Sequence, residues 1–142
     1  MCATAGCSWC RCREVVSAAH GTGLGAGLAA WLAGFVFTAL VEAPVYRWAL
    51  ARRDAEAPRI RAPWAWALGL SLPTHPVVWF GFPRLWPGDW LQQTLAAEAF
   101  AVAVEAAILS RLGVRVSVAW ALAANGLSVA LGLASRAAWG WP

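Results

Sequence analysis

Seven polar side chains interrupt otherwise apolar stretches of this sequence, and their types suit proton transfer or cation binding. Histidine titrates near neutral pH and can relay protons, and together with carboxylates it can ligate a divalent metal ion. A charged side chain at the centre of a membrane helix costs at least ~2.5–3.5 kcal/mol, so these groups should face protein or water. The candidate site residues are Glu42, Thr74, His75, Glu98, Glu105, Asn125 and Ser128.

The spacing of four of these residues places them in pairs on shared helix faces. Glu98 and Glu105 are seven residues apart in the sequence. On a helix they differ by only ~20° in direction and by ~10 Å in depth. Asn125 and Ser128 are three residues apart, and positions three apart are neighbours on a helix surface.

Depth along the predicted helices, counted at ~1.5 Å per residue, sorts the candidates into two layers. The lower layer joins Glu105 with Glu42 and Arg47. In the upper layer, His75 and Glu98 fall at about the same depth, which makes them the candidate ligands for a divalent metal ion. The upper layer consists of His75, Glu98, Asn125 and Ser128.

The composition predicts that these residues lie inside a membrane. The chain has 142 residues, of which 61% are hydrophobic and only 13% charged, whereas soluble domains carry about 25% charged residues. Four stretches are apolar and long enough to cross a hydrocarbon core of ~30 Å. They lie at about 21–48, 62–82, 91–109 and 116–135.

These stretches predict an all-α fold, a polytopic transmembrane four-helix bundle over residues 21–136. Residues 1–20 are predicted to be a disordered tail, and 137–142 a short C-terminal tail. The first tail contains Cys2, Cys7, Cys10 and Cys12. The spacing of the last three could suit a metal, but no second ligand pair follows, so a metal site there is not favoured.

Prolines should interrupt the second span. Pro73 and Pro76 each remove a helical N–H, which frees the carbonyls of Gly69 and Leu72. Within a membrane such groups still need partners. The stretch that carries His75 is therefore predicted to be buried in protein or to line a wet cavity.

The charges predict an orientation. All eleven basic side chains are arginines, and with abundant Ala, Gly and Trp they indicate a bacterial protein from a GC-rich genome. Loop 49–61 and the adjacent Arg47 contribute five arginines and loop 110–115 two, against four on the other side. The positive-inside rule then places both loops in the cytoplasm and both termini outside, in the bacterial cytoplasmic membrane. Aromatic residues are not interleaved with these arginines, so we expect no nucleic-acid partner.

Small residues predict close helix packing, either inside the bundle or between protomers. Four short helices enclose little volume, so a substantial permeation path would need a homo-oligomer or other membrane subunits besides the lipid bilayer. The two stripes of small residues are Gly23, Gly27, Ala30 and Gly34 in the first span, and Gly126, Ala130 and Ala134 in the fourth.

Enzyme signatures are sparse in this chain. The metalloprotease motif His-Glu-x-x-His and the nucleophile elbow Gly-x-Ser-x-Gly are both absent from the sequence. Ser128, His75 and Glu98 could form a Ser-His-acid set, but only geometry can establish one. An enzyme is therefore less expected than a non-enzyme.

One string of motifs resembles a known group of proteins. It runs Thr74-His75-Pro76-Val77-Val78-Trp79, then Glu98, Glu105-Ala106 and Asn125-Gly126-Leu127-Ser128. It is similar to small uncharacterised bacterial four-helix membrane proteins with an Asn-x-x-Thr-His-Pro-x-x-Trp segment, a glutamate-bearing third helix and a late Asn-x-x-Ser. The resemblance covers about Gly21 to Ser135, with Ser71 in place of the leading Asn. It implies one site formed by His75, Glu98, Glu105 and Asn125, and no established activity.

Three hypotheses follow from these residues. The first is a small carrier or accessory subunit that handles a proton or a metal cation at the polar cluster. The second is a structural or assembly subunit of a membrane complex, in which the polar residues only fix helix packing. The third is an intramembrane hydrolase. The cargo, the partner and any cofactor beyond a divalent metal ion stay open at the level of sequence.

Overall fold

The computed structural model describes residues 24–57, 59–86 and 89–140. Within these ranges the protein is all-helical and contains no β-strand. The predicted tail 1–20 with its four cysteines lies outside the described residues, and so does Gly23. The chain divides into two compact units, residues 1–33 and 34–142, and the packing described below belongs to the second.

In the part of the chain that the structure describes, three helices are long and apolar enough to cross a membrane. They are α1 (Leu24–Ala51), α4 (Trp90–Arg111) and α5 (Ser117–Trp139). At 1.5 Å per residue even the shortest of them extends for about 33 Å, which matches the hydrocarbon core. The predicted spans 21–48, 91–109 and 116–135 thus correspond to helices, and each of these helices extends two to four residues beyond the predicted last residue.

The predicted second span, 62–82, is interrupted at its prolines. The helix α2 (Pro63–Gly69) begins with a proline in its first turn, where the missing N–H costs nothing. A turn follows, then a π-helical segment (Val77–Gly81) and the short helix α3 (Phe82–Leu85). The N–H of Leu72 donates to the carbonyl of Gly69 at 3.2 Å. The carbonyl that Pro73 leaves without a helical donor is therefore satisfied by a tight turn.

The core of the second unit lies where α1, α4 and α5 approach the two arginine-rich loops. Its largest buried apolar side chains are Tyr46, Leu70 and Leu109, and alanines fill the space between them. Asp89 caps α4 by accepting a hydrogen bond from the N–H of Gln92 at 2.9 Å. The small residues of α5 that were predicted as a packing stripe, Gly126, Ala130 and Ala134, are exposed, so they do not pack inside this chain.

The two arginine-rich loops contact each other. The N–H of Asp54 donates to the carbonyl of Gly113 at 2.9 Å, and the carboxylate of Asp54 forms a salt bridge with Arg115. Gly113 has a φ of +79°, and a Cβ added there would lie 2.5 Å from the Cβ of Ala57. The turn that joins α4 to α5 therefore depends on glycine for both its backbone conformation and its contact with the other loop.

We expect Gly113→Ala to destabilise the protein by at least about 1–2 kcal/mol, because an L side chain at positive φ is strained and meets Ala57. Thermal unfolding in detergent should show a lower midpoint. Gly126→Ala is the matched control, since a Cβ there meets nothing within 4 Å, and alanine in a helix interior gains roughly 0.5–1 kcal/mol over glycine. Equal midpoints for the two variants would contradict this account of the turn.

Candidate functional site

Seven buried polar side chains form one hydrogen-bonded group, which we call the carboxylate cluster. They come from α1, from the turn after α2, from α4 and from α5, so the cluster joins every long helix of the fold. All seven are at most 7% exposed. The members of the carboxylate cluster are Glu42, Tyr46, Ser71, Thr74, Glu105, Asn125 and Ser128.

Glu105 of α4 is the acceptor for three side chains. The hydroxyl of Tyr46 and the amide of Asn125 both donate to its Oε2, the latter at 2.5 Å. The hydroxyl of Thr74 lies 2.9 Å from its Oε1. The amide of Asn125 also lies 3.1 Å from the hydroxyl oxygen of Tyr46. Both carboxylate oxygens of Glu105 are thus held by neutral donors from three other elements.

Glu42 of α1 is the second carboxylate, and two serines hold it. The hydroxyl of Ser71 donates to its Oε2. The hydroxyl of Ser128 donates to its Oε1 at 2.7 Å. The donors of Glu42, like those of Glu105, carry no formal charge. A buried carboxylate is costly without a compensating charge. Binding of a positive charge would therefore stabilise this cluster.

Two hydroxyls link the halves of the cluster. Thr74 Oγ1 lies 3.0 Å from the carbonyl of Ser71 as well as close to Glu105. Ser128 Oγ lies 3.0 Å from the carbonyl of Asn125 as well as close to Glu42. A hydroxyl carries one proton, so each of these two groups has two alternative acceptors. The cluster can therefore change its hydrogen-bond pattern without moving its backbone.

Local sequence spacing explains how α1 and α5 each contribute two residues to the carboxylate cluster. Glu42 and Tyr46 are four residues apart on α1, which puts them on one helix face. Asn125 and Ser128 are three apart on α5 and share a face in the same way. The interruption after α2 places Thr74 in a turn, and from there its hydroxyl reaches α4.

The hydrogen bonds correct the predicted grouping by depth. Asn125 and Ser128 were predicted in an upper layer with His75 and Glu98, but Asn125 bonds to Glu105 and Ser128 to Glu42. Counting residues from helix ends ignores the reach of the side chains, which lean along the helix axis. Arg47, predicted beside Glu105, instead has its guanidinium 6.0 Å from the ring of Trp64.

His75 and Glu98 lie at the wall of a cavity next to the carboxylate cluster. The His75 ring stacks with Trp79 at 6.0 Å between centroids and meets Phe35 edge-on at 5.3 Å. Both His75 and Glu98 are half-buried. Within the described ranges, no group of three or more His, Cys, Asp or Glu side chains lies close enough to hold a metal ion.

The cavity has a volume of about 340 Å³ and connects the predicted candidates. Arg136, in the last turn of α5, lines it as well. All seven predicted site residues line its wall, so one cavity joins six members of the carboxylate cluster with His75 and Glu98. The seven predicted site residues are Glu42, Thr74, His75, Glu98, Glu105, Asn125 and Ser128.

Sequence reasoning missed Tyr46 and undervalued Ser71. Tyr46 is fully buried and donates to Glu105. A signal existed, because Tyr46 is the single tyrosine of the chain and lies four residues after Glu42. Ser71 was noticed only as a departure from the resembling family, and it donates to Glu42.

The predicted Ser-His-acid set is a poor fit to the observed bonding of Ser128. Its hydroxyl contacts the Glu42 carboxylate and the Asn125 carbonyl. Both partners accept the serine proton without the imidazole that a triad requires.

Comparison with protein-family models, curated proteins and solved structures finds no match to this chain. The resemblance to small bacterial four-helix membrane proteins therefore stays a prediction.

We expect Tyr46→Phe to destabilise the protein by about 1.5–3 kcal/mol, because it leaves a buried carboxylate with one donor fewer. The measurement is thermal unfolding of the purified protein in detergent. Ser110→Ala is the control, since Ser110 is an exposed hydroxyl on the same helix as Glu105. A Tyr46→Phe midpoint equal to that of Ser110→Ala would show that the Tyr46 bond contributes nothing.

Proposed function

We propose that this protein is a small four-helix membrane carrier, or the accessory subunit of one, that binds and releases a proton at Glu42 and Glu105. The observation that carries the proposal is that two buried carboxylates from different helices share one network of neutral donors. Burying a carboxylate costs several kcal/mol, on the order of 3–5 kcal/mol when no partner charge offsets it. A bound proton removes that cost.

A proton suits the donor set better than a metal cation. Four hydroxyls and an amide point hydrogens at the two carboxylates. A metal ion would require those hydrogens to turn away, whereas an added proton only rearranges the pattern. Thr74 and Ser128 already have the alternative acceptors that such a rearrangement needs.

The cavity supplies a route by which a proton could reach the cluster. It extends from Arg136 in the last turn of α5 to Glu42 and Glu105. His75 lies on its wall, and imidazole relays protons near neutral pH. The cavity therefore extends toward the end of the bundle opposite the arginine-rich loops.

The contact between the two loops supports four crossings. Loop 49–61 contacts loop 110–115, and we infer from this contact that both lie on one side of the membrane. Helix α4 ends on that side and begins on the other. We infer that the chain between Ala57 and Asp89 crosses the membrane to reach its beginning. The interrupted segment 63–85 is the fourth crossing in this proposal. The arginine count places the shared loop side in the cytoplasm.

The topology can be tested by cysteine labelling in a background where the four native cysteines are serine. We expect a membrane-impermeant thiol reagent added to intact cells to label Gln92→Cys and to spare Ala55→Cys. Both positions are exposed in the structure. Permeabilised cells provide the control, because both variants should then be labelled. Labelling of Ala55→Cys and Gln92→Cys from the same side would contradict four crossings.

The proton site can be tested by infrared difference spectroscopy of the purified protein between acidic and alkaline buffer. We expect a carboxylic-acid carbonyl band that Glu42→Gln and Glu105→Gln each reduce, because these residues hold the buried proton. Proton uptake into vesicles that contain the protein and a pH-sensitive dye should fall in the same variants. Asp89→Asn is the matched control, since it removes an exposed carboxylate and asparagine still caps a helix.

Two results would reject this function. One is folded Glu42→Gln and Glu105→Gln variants with unchanged bands and unchanged uptake, which would leave the cluster a packing device in an assembly subunit. The other is stoichiometric metal in the purified parent that is lost in both His75→Ala and Glu98→Gln, which would make the cation a metal.

A further inference from the structure

Glu98 lies on α4 between two cavities. It lines the 340 Å³ cavity beside the carboxylate cluster. It also lines a second cavity of about 730 Å³ between α4 and α5. Glu98 is half-buried, and within the described part of the chain its carboxylate makes no hydrogen bond or salt bridge.

The second cavity is an apolar groove, which we call the α4–α5 groove. Among the described residues that line it, Glu98 alone is ionisable, and Ser110 and Ser117 lie at its other end. The twelve residues from Glu98 to Ser110 correspond to about 18 Å along the helix. Because Ala103, Val118 and Leu122 are exposed on membrane-spanning helices, the groove opens toward the bilayer.

We propose that the α4–α5 groove binds a lipophilic organic cation from the bilayer, with the cation's charge against Glu98 and its apolar body along the groove. The inference rests on the proposed function, because it names the class of cargo that the proton site would serve. The groove volume falls within the ~300–1,000 Å³ that small-molecule sites occupy.

Charge complementarity favours this occupant over a second copy of the chain. A carboxylate at membrane depth needs a positive partner or water. The arginines of the spanning helices lie near the helix ends, as Arg47, Arg111 and Arg136 illustrate. Two copies in the same orientation would therefore bring alanines together and leave Glu98 without a cation.

The 340 Å³ cavity also favours approach of the cation from the bilayer. Arg136 lines it, and a guanidinium disfavours a cation that arrives from that side. Once at Glu98, a cation faces the cavity whose wall includes Glu42 and Glu105. Its positive charge opposes a proton there, so cation binding should release a proton, and by linkage acid should weaken cation binding.

Equilibrium binding of tetraphenylphosphonium to the purified protein tests the proposal. Glu98→Gln should weaken binding roughly tenfold or more, because it removes the charge-assisted contact. Ala103→Leu should weaken it by filling the groove. Glu56→Gln, which removes an exposed loop carboxylate, should leave the affinity unchanged. Tetraphenylborate has the same shape and the opposite charge, and it should bind the parent more weakly than it binds Glu98→Gln.

Unchanged tetraphenylphosphonium affinity in Glu98→Gln and Ala103→Leu would overturn the proposal. So would an Ala103→Leu variant that only changes the oligomeric mass, because the groove would then be a contact between copies. A parent protein that does not bind tetraphenylphosphonium, with proton uptake intact, would reject the cargo class alone. Cation binding that persists while proton uptake is insensitive to Glu42→Gln and Glu105→Gln would support the groove and reject the proton carrier.

Discussion

Burial of two carboxylates at membrane depth is the constraint on which the rest of this structure depends. Glu42 and Glu105 need hydrogen-bond donors, because lipid supplies none. Their donors come from α1, the turn after α2 and α5, and Glu105 itself lies on α4. Satisfying two acidic groups therefore brings four separate parts of the chain together. The surrounding alanines permit this approach because they add little volume between the helices.

The interruption of the second span follows from the same constraint. In a continuous helix most hydroxyls would lie along one face, and every carbonyl would accept a hydrogen bond from an N–H of the same helix. The prolines end α2 early and produce a turn in which Ser71 and Thr74 both reach carboxylates. Such irregular backbone persists in a membrane only where its polar groups are paired. Here the turn pairs them and supplies donors to two neighbouring helices.

Glu98 contrasts with the clustered acids. It is on the same helix as Glu105 and seven residues earlier, yet it lies at the wall between a polar cavity and an apolar groove. Helix α4 thus carries Glu105, whose carboxylate accepts hydrogen bonds on both oxygens, and Glu98, whose carboxylate accepts none from the described residues. In our proposals, this difference separates the proton site from the surface that meets a charged ligand in the bilayer.

The sequence by itself determined the helical character, the membrane-crossing lengths, the interruption at Pro73 and Pro76 and the set of polar residues inside the spans. These depend on composition, hydropathy and covalent geometry, which act locally. Only the tertiary structure decided that Asn125 joins Glu105, that Ser128 joins Glu42 and that Tyr46 completes the cluster. Such pairings depend on the offset between helices and on side-chain reach. Both are set by packing among residues distant in the chain, which no local pattern records.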